Sequence, residues 1–423
     1  MRIAIIGAGI IGITTAYELA VDGHEVTVYE RRGAAAEETS FANAGVVAPG
    51  SVTPWAAPGM PGKVFGNLFS RHVAVKLSLP LSARDLAWMW KWWRACKVDT
   101  YLANRARMQR LAFYSRERLH HITADLQLEY DRSDGYTVLL RSEKDSRLVQ
   151  PGLAVLRDAG VLFTEVNAEA VRKIEPAINP DTEFLGGIHL PQDEVANCRQ
   201  FALLLKDVAR NMGVNFEFNT TIAQLNSMQD ATISIVTNNA GTNALHNFDA
   251  VVVCAGLASS ALLKPLGLRI PMTAVYGYSI SAPIREPLNA PRSALMDERY
   301  KVAISRLGNR VRVAGSAEIG GSLEKHRASS IQTLYKVLQD WFPGAAQHAN
   351  TGASVQVWKG ARPMLPDGPP IIGASGTPAV WLNLGHGSSG WALSCGSARA
   401  LADQIAGKSP DIDMGGLDIG RLA

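Results

Sequence analysis

The chain has 423 residues, enough for two or three domains with substantial hydrophobic cores. Its 42 lysines and arginines against 38 acidic residues give a net charge of +4 without long runs of one sign, so a nucleic-acid partner is not indicated. The four cysteines are far apart and form no Cys-x-x-Cys pair, which argues against a metal site or a disulfide framework and agrees with a reducing cytosol. No apolar run reaches the ~20 residues that cross a bilayer, so we expect a soluble or peripheral protein.

The first thirty residues have the order of a nucleotide-binding unit. Arg2–Ile6 is a short β-branched run, typical of a buried parallel strand. It leads into Gly7-Ala8-Gly9-Ile10-Ile11-Gly12, a Gly-x-Gly-x-x-Gly turn. Ile13–Val21 is predicted to be a helix and Glu25–Tyr29 a second strand. Strand, turn, helix and strand in this order predict the binding of a dinucleotide.

Each residue of this pattern has a physical role. Gly7 permits the tight turn, Gly9 lets the backbone approach a pyrophosphate, and Gly12 allows the helix to pack closely on the strand. The N-terminus of the helix offers unpaired N–H groups and a partial positive charge to the phosphates. Glu30 closes the second strand and is placed to accept hydrogen bonds from a ribose hydroxyl.

Two loops that follow have the composition of ligand-enclosing segments. Ser40, Asn43 and Gly45 supply a hydroxyl, an amide and a backbone that permits close approach, so this loop is interpreted as a cradle for the rest of a large cofactor. Residues 49–62 are rich in proline and glycine, which excludes a helix or a central strand. Because apolar residues such as Trp55 are mixed in, we expect a shaped loop over a site rather than a linker.

Residues 84–121 contain almost no glycine or proline and are predicted to be helical. Four tryptophans lie close together here beside three basic residues: Trp88, Trp90, Trp92 and Trp93, with Lys91, Arg94 and Lys97. One interpretation is a packed helix pair of a second domain. The other is a patch that enters the headgroup zone of a membrane, where tryptophan beside basic residues is favoured. The sequence leaves both open.

The rest of the chain mixes strands and helices. Strands are predicted at 136–140, 184–190, 214–218, 220–225 and 248–254, with a turn at 191–194 and an amphipathic helix at 198–212. Beyond Ile270, strand-like runs with short turns indicate an antiparallel sheet, at 275–281, 301–305 and 310–315. A helix at 329–342, a strand at 380–383 and a final helix that ends at Ile405 complete the prediction. The fold class is α/β, with an α+β second domain.

The N-terminal fingerprint is compatible with NAD or with FAD. Nicotinamide dehydrogenases usually keep their nucleotide fold contiguous, but the strands that would complete this sheet are scattered, at 2–6, 25–29, 248–254 and 380–383. A domain assembled from distant segments favours FAD. The glycine-rich start of the last helix agrees, because a helix N-terminus can stabilise the negative charge of a reduced flavin.

A resemblance to known proteins extends over nearly the whole chain, from Ile3 to about Gly407. It is carried by the stretches GAGIIG, GHEVTVYER, ETSFANAG, TPWAAPGMP, WMWKWWRAC, DERYKVAISR, GARPMLPDGPPIIG and LNLGHGSSGWALSCGS. In these the chain resembles the FAD-dependent D-amino-acid oxidase superfamily, and within it the D-amino-acid dehydrogenases of the small-subunit type. The resemblance implies a Rossmann-like FAD-binding domain assembled from segments 1–50, 197–262 and 365–423. It also implies a substrate domain with a large, mostly antiparallel sheet and helices, at 51–196 and 263–364.

The resemblance also implies where the flavin is bound. The contacts fall at Gly7, Gly9, Ile10, Ile11, Gly12, Glu30, Arg31, Ser40, Asn43, Ala44, Gly45, Ile222, Cys254, Ala255, Gly256, Arg362, Gly385, His386, Gly387, Ser388 and Ser389. His386 is assigned to flavin electrostatics, since hydride transfer needs no histidine base. Some relatives attach the flavin to a cysteine near a Gly-x-Arg-Pro segment, but none of the four cysteines lies there, so FAD is expected to be non-covalent.

In relatives of this superfamily, the arginine of the Gly-x-Arg-Pro segment binds the substrate carboxylate, and that residue here is Arg362. A planar guanidinium is also the natural bidentate partner of a carboxylate in a closed site, although a structural ion pair is the alternative. Tyr278 and Tyr300 are candidates for further substrate contacts, unless they are core aromatics. Trp55 and Pro58 are expected to cover the pocket.

The activity implied is oxidative deamination of D-amino acids to 2-oxo acids and ammonia. Hydride passes from Cα to flavin N5, and the electrons leave to a quinone or another acceptor. One alternative is a dehydrogenase or oxidase of secondary amines, similar to D-proline or sarcosine, with the same fold. Another is a flavin-binding subunit active only in a heteromeric complex, and a nicotinamide enzyme is more remote. We expect a cytoplasmic protein, with contact to the inner face of the cytoplasmic membrane left open.

Overall fold

The computed structural model describes residues 1–66, 74–228, 232–346 and 355–422. Its strands are β1 (Arg2–Ile6), β2 (Glu25–Tyr29), β3 (Val46–Val47), β4 (Val75–Leu77), β5 (Arg132–Leu140), β6 (Thr164–Asn167), β7 (Gly186–Ala196), β8 (Asn215–Glu217), β9 (Thr221–Ser227), β10 (Ile233–Asn239), β11 (Thr242–Phe248), β12 (Ala250–Val253), β13 (Thr273–Pro283), β14 (Ala294–Asp297), β15 (Val302–Leu307), β16 (Arg310–Ile319), β17 (Gln356–Met364), β18 (Ile371–Ala374) and β19 (Val380–Leu384). Its α-helices are α1 (Ile10–Val21), α2 (Met60–Gly66), α3 (Ala83–Ala95), α4 (Val98–Asp125), α5 (Glu143–Asp158), α6 (Ala168–Ile174), α7 (Cys198–Asn211), α8 (Ser259–Leu263), α9 (Ala328–Trp341) and α10 (Gly390–Ile405).

The N-terminal motif belongs to a six-stranded sheet with the order β18-β19-β12-β1-β2-β8. Its neighbouring strands are parallel, except for the antiparallel pair β18 and β19. The central strands are apolar on both sides because helices and the chain's other sheets cover both faces, and Ile3, Ile5 and Val252 are fully buried. The prediction that distant segments complete this sheet is confirmed, since β12 pairs with β1 and β19 pairs with β12.

Helix α1 connects β1 to β2 and begins at Ile10, three residues before the predicted start. It packs against α7 and α10, and α10 packs in turn on α4. The fully buried carboxylate of Glu18 in α1 accepts hydrogen bonds from Arg118 of α4 at 2.6 Å and from Arg399 of α10 at 2.9 Å. A buried charge is tolerated here because both of its oxygens are paired. The cluster joins three helices on one face of the nucleotide-binding sheet.

The second large sheet has ten strands and is mostly antiparallel, as predicted. Eight follow the order β17-β13-β16-β15-β14-β5-β7-β3, and β4 and β6 pair with β16 and β7. Within it, β14 pairs with β5 and β4 with β16 in parallel. Strand β3 lies in the segment assigned to the nucleotide-binding domain but pairs with β7 of this sheet. The limits of the two domains otherwise remain our proposal.

The predicted turn at residues 191–194 is wrong. Strand β7 continues through it, from Gly186 to Ala196. The pairing of β7 with β5 shifts in register between Asp134 and Tyr136, which absorbs the extra residues as a bulge. Pro191 fits there because a bulge does not require its missing N–H group.

A three-stranded antiparallel sheet of β9, β10 and β11 was only partly predicted from the sequence. The turn between β10 and β11 has Ala240 and Gly241 at φ of +49° and +90°, the left-handed conformation of tight hairpins. The alternation of Ile233, Ser234 and Ile235 before an Asn-Asn-Ala-Gly turn is the signal that could have identified this hairpin.

The ten-stranded sheet has two different faces. Helix α9 packs on one face, over a core that contains Trp341 and Phe342. The other face is covered in part by α3, whose Trp88 and Trp92 pack in one cluster with Met364. The predicted helices are present as α3 and α4, but α4 packs on α10 of the nucleotide-binding side, so the two do not form a helix pair of the second domain. Among the described residues, no helix is long and apolar enough to cross a membrane, and no group of His, Cys, Asp or Glu is arranged to hold a metal ion.

Candidate active site

The turn between β1 and α1 is closed by glycine. Gly7 has a φ of +104°, and a Cβ there would lie 2.8 Å from the carbonyl oxygen of Cys254. A Cβ at Gly12 would lie 1.8 Å from the carbonyl oxygen of Gly7, so only glycine lets the helix pack this closely. A Cβ at Gly9 would meet only the Oγ of Ser40, at 3.4 Å. The space in front of the helix is therefore open to a ligand.

Polar groups surround this opening. The N–H of Ile10, in the first turn of α1, donates to the Oγ of Ser40 at 3.0 Å. The carboxylate of Glu30 at the tip of β2 accepts from the N–H groups of Ala8 and Arg32, both at 2.8 Å. Glu30 is thereby fixed beside the glycine turn, at the carboxyl edge of the parallel strands, where α/β sheets bind nucleotides. The arrangement fits the pyrophosphate and ribose of FAD.

Other predicted flavin residues lie nearby in different surroundings. Arg31 is exposed and pairs with Glu38 through Nε–Oε1 and Nη2–Oε2 distances of 2.8 and 2.6 Å. Ile222 and Ala255 are partly buried against the core beneath the sheet. Gly256 has a φ of +52°, with open space where a side chain would be. Ala255 and Gly256 follow the end of β12, so the backbone at this edge of the sheet can approach a ligand closely.

The loop before β3 connects the cofactor cradle with the larger sheet. The Oδ1 of Asn43 accepts from the N–H of Gly45 at 3.0 Å. The carbonyl of Asn43 accepts from Nη1 of Arg312 at 3.1 Å, and the carbonyl of Ala44 from Oγ of Ser305 at 2.7 Å. Arg312 and Ser305 belong to β16 and β15, so the predicted cofactor loop is held against the larger sheet.

The segment between β19 and α10 brings His386 into the interior. Its Nε2 lies 3.2 Å from the Oγ of Ser397, and its backbone forms an isolated bridge with Met364 of β17. Burial lowers the pKa of His386 to about 3, so the imidazole is neutral at physiological pH. Because this imidazole is neutral, the group at Gly385–Ser389 that could stabilise a negative charge is the N-terminus of the 16-residue helix α10.

Arg362 lies on β17, on the face of the larger sheet that is turned toward the nucleotide-binding domain. Its Nη1 donates to the carbonyl of Ser316 at 3.0 Å, and its Cζ lies 5.8 Å from the ring centroid of Trp55. No carboxylate of the described residues lies within ion-pair distance of Arg362. Burial lowers the pKa of this arginine to about 10, so it stays charged at neutral pH. A partly buried cation that has no acidic partner among the described residues is a candidate site for an anion.

The strand that carries Arg362 also touches the cofactor cradle. The Oγ1 of Thr39 donates to the carbonyl of Ala361 at 2.7 Å. The turns at 256–258 and 387–389, which follow β12 and precede α10, lie against β17. The candidate anion site therefore adjoins the candidate flavin site.

The structure separates both candidate tyrosines from Arg362. Side chains alternate along a strand, and Val275 and Gly277 share the face of Arg362, whereas Tyr278 points to the opposite face. There its hydroxyl donates to Glu318. The ring of Tyr300 lies on that same far side, 5.2 Å from the guanidinium of Arg141. Neither tyrosine is retained as a substrate contact.

Trp55 lies beside Arg362, as expected for a residue that covers the pocket, while Pro58 is exposed. Sequence reasoning missed Gly277, over which the guanidinium of Arg362 lies, and Trp358, which shares the Arg362 face of β17. The signal for Trp358 was its spacing of four residues from Arg362 within a strand, which places both on one face.

A dinucleotide cradle beside a large antiparallel sheet is the architecture of a two-domain nucleotide-dependent oxidoreductase, and Arg362 is its candidate site for an anionic substrate. The chain belongs to the FAD dependent oxidoreductase family (DAO), whose sequence pattern matches residues 2–404. It is 42% identical over 425 residues to a D-amino acid dehydrogenase of Bradyrhizobium diazoefficiens, covering 100% of this chain and 99% of that protein. A D-amino acid dehydrogenase of Chromohalobacter salexigens is 39% identical, with full coverage of both chains.

Solved structures share the fold. Glycine oxidase from Geobacillus kaustophilus superposes with a TM-score of 0.73 at 20% identity, covering 99% of this chain and 98% of that one. L-proline dehydrogenase from P. horikoshii also gives 0.73, at 16% identity, over 100% of this chain and 97% of that one. At these identities the similarity establishes the fold alone.

Proposed function

We propose that this protein oxidises D-amino acids to 2-oxo acids and ammonia as an FAD-dependent dehydrogenase. The observation that carries the proposal is the partly buried guanidinium of Arg362 beside the cofactor cradle, which has no carboxylate partner in the part of the chain that the structure describes. An amino acid brings the carboxylate that this cation lacks. The names of the full-length relatives support the D configuration of the substrate.

The residues of the chain bind and orient the substrate. FAD, when bound, supplies the acceptor for the hydride of Cα. Arg362 holds the carboxylate, so that Cα is fixed next to the turns at 256–258 and 387–389. Trp55 covers the guanidinium and excludes water, which strengthens the pairing. The N-terminus of α10 stabilises negative charge on a non-covalently bound cofactor.

The buried cysteines Cys198 and Cys254 have pKa values raised to about 12 by desolvation, which disfavours attachment of the flavin to them.

We also propose that the electrons leave to a quinone at the inner face of the cytoplasmic membrane. Helix α3 supports this, because Leu86, Trp90 and Trp93 are 55%, 56% and 55% exposed and recur at i, i+4 and i+7. Arg94 and Lys97 flank them. The opposite side of α3 is core, where the indole N–H of Trp88 donates to the carbonyl of Met364 at 2.9 Å. One helix thus separates the exposed tryptophans from the strand that carries Arg362.

Two other functions are distinguished from this one by a panel of substrates. A secondary-amine dehydrogenase of the same fold would prefer D-proline or sarcosine. A subunit active only in a heteromeric complex would bind flavin, but when it is purified alone none of the substrates would reduce that flavin. An anaerobic panel of D-alanine, D-proline, sarcosine and L-alanine, followed by flavin bleaching, separates these outcomes.

The membrane proposal has its own experiment. The purified protein should float with liposomes of anionic phospholipid, and Trp90→Ser with Trp93→Ser should abolish flotation. Tyr335→Ser is the matched control, because Tyr335 is an exposed aromatic on α9, on the other side of the larger sheet. Wild-type protein that stays at the bottom of the gradient contradicts the proposal.

A further inference from the structure

Two glycines form the floor on which the side chains of the anion site lie. Gly277 of β13 and Gly360 of β17 are directly opposite each other in the antiparallel pair. A Cβ at Gly277 would lie 2.3 Å from Nη2 of Arg362, and a Cβ at Gly360 would lie 1.7 Å from Cη2 of Trp358. The guanidinium and the six-membered ring of the indole therefore lie side by side over neighbouring Cα atoms, which are about 5 Å apart in such a pair.

The indole of Trp358 reaches this position by leaning along its own strand. Trp358 pairs with Ser279, one step of the pleat away, but its ring extends over Gly360 toward Arg362. At the other end of β17, Met364 meets His386 at the start of α10. Arg362 thus lies between the cofactor segment on one side and Trp358 on the other.

The position of Arg362 between the cofactor segment and Trp358 determines which residues surround each part of a bound amino acid. Its carboxylate is held by Arg362, and its Cα must face the cofactor segment, so its side chain points away from both. Trp55 already covers the guanidinium from the proline-rich loop. The remaining direction along β17 is filled by the indole of Trp358, which is only partly exposed.

We infer that Trp358 is the wall of the side-chain pocket and restricts the substrate to D-amino acids with small side chains. The inference rests on the proposed function, because it takes Arg362 as the carboxylate clamp. A rigid indole leaves room for a methyl group and excludes a benzyl group, and differences of this kind in an apolar pocket change kcat/KM by roughly 10–200-fold.

The test compares D-alanine with D-phenylalanine in the FAD-loaded enzyme. In Trp358→Ala, kcat/KM for D-phenylalanine relative to D-alanine should rise at least about tenfold over wild type. Trp358→Phe should shift the ratio less, and Tyr335→Ala on the far helix should leave it unchanged. Titration of the oxidised enzyme with acetate and benzoate, followed by the flavin spectrum, should show the same gain for the larger carboxylate in Trp358→Ala.

An unchanged ratio in a folded, flavin-loaded Trp358→Ala enzyme overturns the inference while the proposed function stands. If that variant loses its flavin, Trp358→Leu replaces it, and the absence of any shift there overturns the inference equally. A wild-type enzyme that oxidises neither amino acid overturns the proposed function itself, and the inferred role of Trp358 as a pocket wall is overturned together with it.

Discussion

The guanidinium of Arg362 occupies the space into which a side chain at position 277 would project. A Cβ on Gly277 would lie 2.3 Å from Nη2 and 2.5 Å from Cζ of that arginine. The two residues are on adjacent antiparallel strands and share one face of the sheet. The position of the Arg362 guanidinium, and with it the proposed anion site, therefore depends on a residue without a side chain.

Gly277→Ala should displace the guanidinium from the carbonyl of Ser316 and misalign the carboxylate. Because geometry of this kind controls the reaction rate, we expect kcat/KM for D-alanine to fall by roughly 100-fold, mostly through KM. Steady-state kinetics with a quinone analogue or an artificial acceptor measures it. Gly152→Ala in α5 is the control, since nothing lies within 4 Å of its Cβ. Normal KM in a folded Gly277→Ala enzyme would refute this relationship.

Glu18→Ala should destabilise the nucleotide-binding domain. The buried carboxylate is paired with the partly buried guanidinium groups of Arg118 and Arg399. Its removal takes the acidic partner from Arg118, while Arg399 keeps Asp22 and Asp403, so we expect a cost of about 3 kcal/mol, the lower end for a broken buried pair. Glu169→Ala removes a pair with Lys173 in which both side chains are 75% exposed, and it should cost less than about 0.5 kcal/mol. Thermal denaturation of both variants measures the difference, and equal shifts would contradict it.

Asp193 should make stability depend on pH. Burial raises its pKa from 3.8 to about 7, although Arg116 lies 3.4 Å away. A folded-state pKa above the unfolded value means that the free energy of unfolding falls as pH rises from about 4 to 7, and then levels off. Asp193→Asn should therefore be stabilising at pH 8, by up to about 4 kcal/mol, and nearly neutral at pH 4. A Tm difference independent of pH would contradict this assignment.

His386 should not titrate in the working pH range. Its pKa is lowered to about 3 by burial, so the imidazole stays neutral from pH 5 to 9. The pH profile of kcat for His386→Gln should accordingly keep every inflection of the wild-type profile, even where its height changes. An inflection near pH 6.5 that disappears in the variant would show that the imidazole ionises during turnover.

The sequence was most informative where local chemistry and long-range structure agree. The glycine turn, its flanking strands and Glu30 were predictable because each requires a particular residue at a fixed spacing. The distant strands β12 and β19 were predictable because strands buried on both faces are mostly apolar, as in AVVV of β12 and in β19, where Asn383 is the one polar residue. Arg362 was singled out because it lies between residues that break regular structure, and through the resemblance of its segment.

The sequence-based predictions were wrong where a single residue determines which face of a strand a side chain points to, or whether the strand continues. Tyr278 and Gly277 are neighbours in sequence but lie on opposite faces of β13, and no periodicity in the sequence specifies which face carries the site. The same two-residue period would have identified Trp358 once Arg362 was placed. The sequence predicts a turn at the bulge that contains Pro191, because proline and acidic residues favour both.

In the proposed reaction, Arg362 clamps the carboxylate of the substrate. Anaerobic mixing of the FAD-loaded enzyme with D-alanine, followed by the loss of flavin absorbance, measures this without any electron acceptor. We predict bleaching in the wild type, and in Arg362→Ala an apparent Kd for D-alanine raised by about 100-fold or more, with partial recovery in Arg362→Lys. Bleaching of the Arg362→Ala enzyme at the wild-type D-alanine concentration would contradict the account.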